Sequence, residues 1–201
     1  MKKYFLFDIG NVLANFQFEK PPPDAPADSV QMAEWPIACD YALQDAVECG
    51  RINDQEFIDQ LNAARDSAWT VADLTEVWRK TFTRNPAGWA LLQTVFSARV
   101  PVYFLSNIAQ HHVDAIEQNW PDFFDEISGQ FLSYKMGVRK PDPMIYQQVL
   151  DQLGVKGKHC FFIDDMANNV EAAREFGIQA YQFTPENYVA ISKASVEFLF
   201  R

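Results

Sequence analysis

The chain has 201 residues, 48% apolar, 14% aromatic and 22% charged, a balance that excludes a disordered or fibrous polypeptide. That length can bury roughly 70% of the unfolded surface in one domain, or in one domain carrying a sizeable insertion. Lys plus Arg number 17 against 27 Asp plus Glu, a net charge of −10 with no basic stripe, which argues against a nucleic-acid partner. An anionic small substrate would therefore need locally placed positive charge. Cys39, Cys49 and Cys160 are an odd count without metal-type spacing and read as free buried thiols in a reducing cytoplasm.

The N-terminus begins Met-Lys-Lys and runs into Tyr4–Phe7, but Asp8 and Asn11 interrupt the apolar stretch and no small-residue cleavage site follows. No run reaches the roughly 18 apolar residues of a membrane span. The expectation is a cytoplasmic protein with no membrane partner. Tyr4–Phe7, Val100–Leu105, Cys160–Ile163 and Ala180–Phe183 have strand character. Because they are apolar throughout rather than alternating, they suggest strands buried on both faces of a parallel sheet.

Between these runs lie helical patterns. The stretch from about Phe16 to Arg84 shows several, at Ser29–Trp35, Tyr41–Cys49, Asp54–Arg65 and Val71–Phe82, and no convincing strand. Asn53-Asp54-Gln55-Glu56 reads as a helix cap with an acidic first turn, and Pro21–Pro26 as a stiff connector. Ala87–Ser97, Pro143–Leu153 with Gly154 as a stop, and Asn168–Phe176 before Gly177 complete a strand–helix alternation. The predicted fold is α/β, a Rossmann-like parallel sheet covered by helices, with a small helical insertion after the first strand.

In such sheets ligands bind beyond the carboxyl ends of the strands. That rule gathers Asp8, Ser106-Asn107 and the adjacent carboxylates Asp164-Asp165 into one crevice. Two neighbouring carboxylates repel unless a cation or a base lies near them.

These residues resemble the four short motifs of the haloacid dehalogenase-like (HAD) hydrolases, in order. Phe5–Leu13 resembles the first, with Asp8 as nucleophile; Leu105-Ser106-Asn107 the second; Gly137–Pro143 the lysine motif; and Phe161–Asp165 with Asn168–Ala173 the fourth. The resemblance implies a HAD core at 1–15 and 85–201 and a helical cap of the first type at 16–84. It implies a phosphatase that forms an aspartyl-phosphate on Asp8 and uses Mg²⁺. The metal ligands would be Asp8, the Gly10 backbone carbonyl and Asp165, whose spacing to Asn169-Val170-Glu171 fits the family, with Asp164 as second choice. Mg²⁺ suits such a site because it prefers oxygen ligands in octahedral geometry. Ser106 Oγ and the Asn107 backbone N–H would donate to the phosphoryl oxygens, and Lys140 would supply positive charge, with Lys135 as alternative.

Family phosphatases carry a second Asp two residues after the nucleophile, where this chain has Gly10. The first motif Asp8-Ile9-Gly10-Asn11-Val12 is similar to a subgroup with sugar-phosphate phosphatases of the α-D-glucose-1-phosphate phosphatase type. A missing acid favours leaving groups that are already acidic, so anomeric phosphates should turn over faster than 6-phosphates. The expected partner is a small phosphorylated metabolite, and the chain a monomer or weak homo-oligomer. Two other functions are kept: haloacid dehalogenation by the same nucleophile, and a silent HAD-fold binding or regulatory protein. His111-His112 are expected to cap a helix or face solvent, Arg139 to be structural, the five tryptophans to pack, and Phe16–Phe18 and Glu48–Asn53 to be near the substrate entrance.

Overall fold

A computed structural model describes residues 2–16 and 41–200, apart from the side chain of Arg65. The expectations for Ser29–Trp35, Pro21–Pro26, Cys39, Trp35 and Phe18 fall outside the described residues. Five strands form a parallel sheet in the order β5-β4-β1-β6-β7: β1 (Tyr4–Phe7), β4 (Val102–Ser106), β5 (Gly129–Leu132), β6 (Cys160–Asp164) and β7 (Gln179–Gln182). Alternate residues of β1 enter opposite layers, Phe5 and Phe7 into one apolar cluster and Tyr4 and Leu6 into the other. Both faces are covered, which is why these runs read as continuously apolar.

A two-stranded antiparallel ladder corrects the expectation of no strand between 16 and 84. In it β2 (Ala14–Phe16) pairs with β3 (Phe82–Arg84), aligning Phe16 with Phe82. Strands of three residues carry too little pattern to be read alone. Among the described residues they bracket three helices, α1 (Tyr41–Glu48), α2 (Asp54–Arg65) and α3 (Val71–Thr81). Helix α2 starts on the Asn53–Glu56 capping box that its sequence announces.

The remaining helices are α4 (Pro86–Ser97), α5 (Gln110–Asn119), α6 (Ser133–Met136), α7 (Pro143–Leu153), α8 (Ala167–Glu175) and α9 (Tyr188–Phe200). Asn85 caps α4, Asp142 caps α7, and Gly154 ends α7 in the left-handed region at φ 65°. Helix α3 runs along α5, joining the 41–81 helices to the sheet layer. Gly88 lets α4 close on the turn after β1, because a β-carbon there would meet the Val12 carbonyl oxygen at 1.7 Å. No helix among the described residues is long and apolar enough to cross a membrane.

Candidate active site

Strand β1 sits at the centre of the sheet; the chain runs from it to β4 and β5 on one side and then crosses to β6 and β7 on the other. This switch point opens a crevice at the carboxyl ends of three strands. Asp8 follows β1, Ser106 ends β4 and Asp164 ends β6, and all three are buried. Asp8 is held by its own backbone, its N–H donating to the Ile163 carbonyl at 2.9 Å, while the Ile9 N–H donates to Asp8 Oδ1 at 2.7 Å.

Lys140, 1% exposed, reaches this point from the loop before α7. Its ammonium lies 3.0 Å from Asp8 Oδ2 and 2.5 Å from Asp164 Oδ2, and donates to the Leu105 carbonyl at 2.9 Å. Burial alone would lower the Lys140 pKa, but Asp164 and then Asp8 raise it, so it stays charged. Lys135, the alternative, instead has its ammonium 5.4 Å from the Tyr134 ring centroid.

Oxygens of Asp8, Asp164 and Asp165 lie within 4.8 Å of one another. Three carboxylates thus converge where one ammonium is present. Burial, with help from Asp164 and Asp165, pushes the Asp8 carboxyl up to about 7 against the opposing pull of Lys140 and the Ser106 hydroxyl. Burial also raises Asp165. An all-oxygen donor set short of positive charge fits a hard divalent cation.

The two adjacent carboxylates differ in what they already hold. Asp164 accepts from Lys140, from the Met166 N–H at 2.8 Å and from the Asn169 amide at 2.9 and 3.1 Å on its two oxygens. Asp165 is less buried and accepts one side-chain hydrogen bond among the described residues, 3.0 Å from the Asn11 amide.

The side chains of three residues already named in the motifs take bracing roles that the sequence did not announce. Asn107 clamps the lysine loop, its amide nitrogen donating to the Lys140 carbonyl and its oxygen accepting from the Lys140 N–H, both at 2.7 Å. Asn169 orients Asp164. Asn11, at φ 52°, braces Asp165. An Asn in a tight turn four residues beyond the end of β1 was the signal for the last of these. Gly10 is half-buried, and its α-carbon faces the ring of Phe16.

The two histidines correct their expectation in part. His112 does cap α5, accepting the Ala109 N–H on Nδ1 at 3.1 Å, but it is buried against Trp78. His111 is 2% exposed and meets Asp54 Oδ1 at 2.7 Å. Neither faces solvent, because α3 and the start of α2 cover the head of α5. Trp89 and Trp120 pack with Phe123. Trp69 and Trp78 join the main apolar cluster.

The profile of the haloacid dehalogenase-like hydrolases matches residues 2–177. A sesquiterpene phosphatase of Aspergillus oryzae, astK, is 34% identical over 98 residues, 47% of this chain and 48% of that protein, so the match spans about half of that relative. A D-ribitol-5-phosphate phosphatase of Bacteroides thetaiotaomicron is 25% identical over 209 residues, 93% of each chain. In structure, a HAD family enzyme of the same bacterium, crystallised with magnesium and inorganic phosphate, superposes with TM-score 0.75 over 92% of this chain and 95% of its own. At 24% identity that likeness speaks to the fold.

Proposed function

Because the chain belongs to the haloacid dehalogenase-like hydrolase family, we propose that it is a magnesium-dependent phosphomonoester hydrolase with Asp8 as nucleophile. One observation carries this reading: a buried lysine joins Asp8 to a second carboxylate, with a third carboxylate beside them and no second cation among the described residues of the cluster. Relatives named as a D-ribitol-5-phosphate phosphatase and a sesquiterpene phosphatase support the reaction class.

Asp8, the Gly10 backbone carbonyl and Asp165 would hold the ion, while Asp164, already engaged by Lys140 and Asn169, stays beside it. When bound, magnesium supplies charge that screens the phosphoryl dianion from Asp8 and polarises it. An Asp8 oxygen attacks phosphorus as the bond to the ester oxygen breaks, giving an aspartyl-phosphate and the departing alkoxide or enolate. Ser106 Oγ, the Asn107 backbone N–H and the Lys140 ammonium stabilise charge on the phosphoryl oxygens. Water then attacks the same phosphorus, releasing phosphate and regenerating the Asp8 carboxylate.

Gly10 offers no acid to protonate the leaving oxygen. A hemiacetal oxygen departs more readily than an ordinary sugar alkoxide, so small anomeric sugar phosphates are the favoured substrates. We assign the core to 1–15 and 85–201 and the cap to 16–84, with the three described helices α1–α3 over the crevice. The free thiols of Cys49 and Cys160 fit a cytoplasmic setting.

Release of p-nitrophenolate from its phosphate ester, dependent on Mg²⁺ and abolished in Asp8→Asn, tests the reaction. Faster turnover of glucose 1-phosphate than of glucose 6-phosphate tests the substrate class. Activity unaffected by Asp8→Asn would overturn the first, and equal rates on the two sugars the second.

A further inference from the structure

The inserted helices hold the two loops of the site through charge as well as packing. Arg139 immediately precedes Lys140. Its Nη1 lies 3.1 Å from Glu48 Oε2 and 3.7 Å from Asp45 Oδ1, and its guanidinium carbon lies 5.4 Å from the ring centroid of Tyr41. Tyr41, Asp45 and Glu48 belong to α1, so both ion pairs that Arg139 makes among the described residues go to the inserted segment. Glu48 is 5% exposed, and its Oε1 accepts from the Gln44 amide at 2.9 Å.

Glu48 Oε2 and Arg139 Nη1 and Nε are buried and make no aligned hydrogen bond. The pair is therefore held by charge attraction in a poorly polarisable surrounding, where one partner without the other is costly. Just beyond α1, Gly50 (φ +62°) presses on α6. A β-carbon there would lie 2.1 Å from the Tyr134 carbonyl oxygen. The same segment reaches the other loop, because Asp54 at the head of α2 meets His111, four residues after Asn107.

We propose that Arg139 is a positioning residue: clasped by Glu48 and Asp45, it fixes the backbone that enters Lys140. Seating of the inserted helices thereby sets the ammonium on Asp8. Asn107 grips the Lys140 peptide from the sheet side. Arg139 anchors it from the cap side, and the lysine is held between the two. Loss of the clasp would let Lys140 drift without removing any group that touches phosphate. This role rests on the reading of Asp8 and Lys140 as the phosphoryl-handling pair.

The experiment compares Arg139→Met, Glu48→Met, the double variant and Arg139→Lys in the full chain. Each is assayed with p-nitrophenyl phosphate and Mg²⁺, by thermal midpoint, and by amide hydrogen exchange of peptides covering 133–142 and 179–200. Each single Met variant should unfold at a lower temperature, and the double should recover much of that loss because neither charge is left alone. The kcat should nevertheless stay about 10-fold to 100-fold below wild type in the double as in the singles, as expected when a reacting group is displaced. KM should change less than kcat, and Arg139→Lys should recover part of kcat.

Exchange at 133–142 should quicken in all three Met variants, while 179–200 is unchanged. A double variant whose kcat returns together with its midpoint would show a merely structural pair and overturn the proposal. Unaltered exchange at 133–142 would do the same. A wild-type chain that cleaves no phosphomonoester would instead overturn the functional reading, and the exchange result would still decide whether the clasp holds the loop.

Discussion

The ring of Phe16 stands over the α-carbon of Gly10, so that a β-carbon at position 10 would lie 3.0 Å from Phe16 Cε1. The ring is itself fixed, edge-on to Trp78 and Phe82 at centroid distances of 6.0 and 6.4 Å. The side-chain space beside the nucleophile is thus already taken. Gly10→Asp alone should lower the thermal midpoint, since overpacking of this kind costs about 1–3 kcal/mol. In Gly10→Asp with Phe16→Ala, the carboxyl has room, and slow alkyl phosphates should gain more than p-nitrophenyl phosphate. Steady-state rates on the two ester classes check this. An equal effect on both would show that no leaving-group acid is missing.

Removing Lys140 strands two buried carboxylates. Burial already raises Asp8 to about 7 against the pull of Lys140, and without that pull it rises further, so taking a proton relieves the site more at low pH than at high pH. Metal-free Lys140→Met should lose about 3 kcal/mol at pH 8, the low end for breaking a buried ion pair, and less at pH 6. Urea unfolding in chelator at both pH values measures it. A loss independent of pH would contradict the argument.

Asp165 and Asp164 should separate on metal titration. Asp165→Asn removes a proposed ligand and should raise the Mg²⁺ needed for half-maximal activity by well over 10-fold, the scale on which even outer partners of metal ligands act. Asn11→Ala, which removes the brace on Asp165, should raise it less. Asp164→Asn should act chiefly through Lys140, on kcat. Magnesium should also raise the thermal midpoint more at pH 8 than at pH 6, because protons compete for Asp8. The reverse order between the Asp164 and Asp165 variants would exchange their roles.

His112 is buried as the neutral ring, its pKa held well below 6.5 by burial and then by His111. A folded value lower than the unfolded one means that this contribution to stability is complete above about 6.5 and is lost as pH falls below it. His112→Asn can still accept the Ala109 N–H. It should flatten the fall of thermal midpoint between pH 6.5 and 5. An unchanged slope would place the acid sensitivity elsewhere.

The central sheet was legible because β1 and β6 are apolar at almost every position and stop at carboxylates. Gly154 and the Asn53–Glu56 box marked helix ends for local reasons that survive in the fold. Strand β5, with its exposed Gln130, and the three-residue β2 and β3 left too little pattern to see. Asp8, Ser106, Asp164 and Lys140 could be gathered from strand ends and motif order. What holds them could not: Asn107 clamps a peptide 33 residues away, and the Asn169 amide donates to both oxygens of Asp164. The His111–Asp54 and Arg139–Glu48 contacts depend on how the inserted helices dock, which no local spacing encodes.

The most direct test of the account is the mass of the Asp8 peptide after rapid acid quench during turnover of p-nitrophenyl phosphate with Mg²⁺. The account predicts a hydroxylamine-labile peptide heavier by one phosphoryl group, absent without substrate and in Asp8→Asn. Full release of p-nitrophenolate with that peptide never modified, and Asp8→Asn as active as wild type, would contradict it.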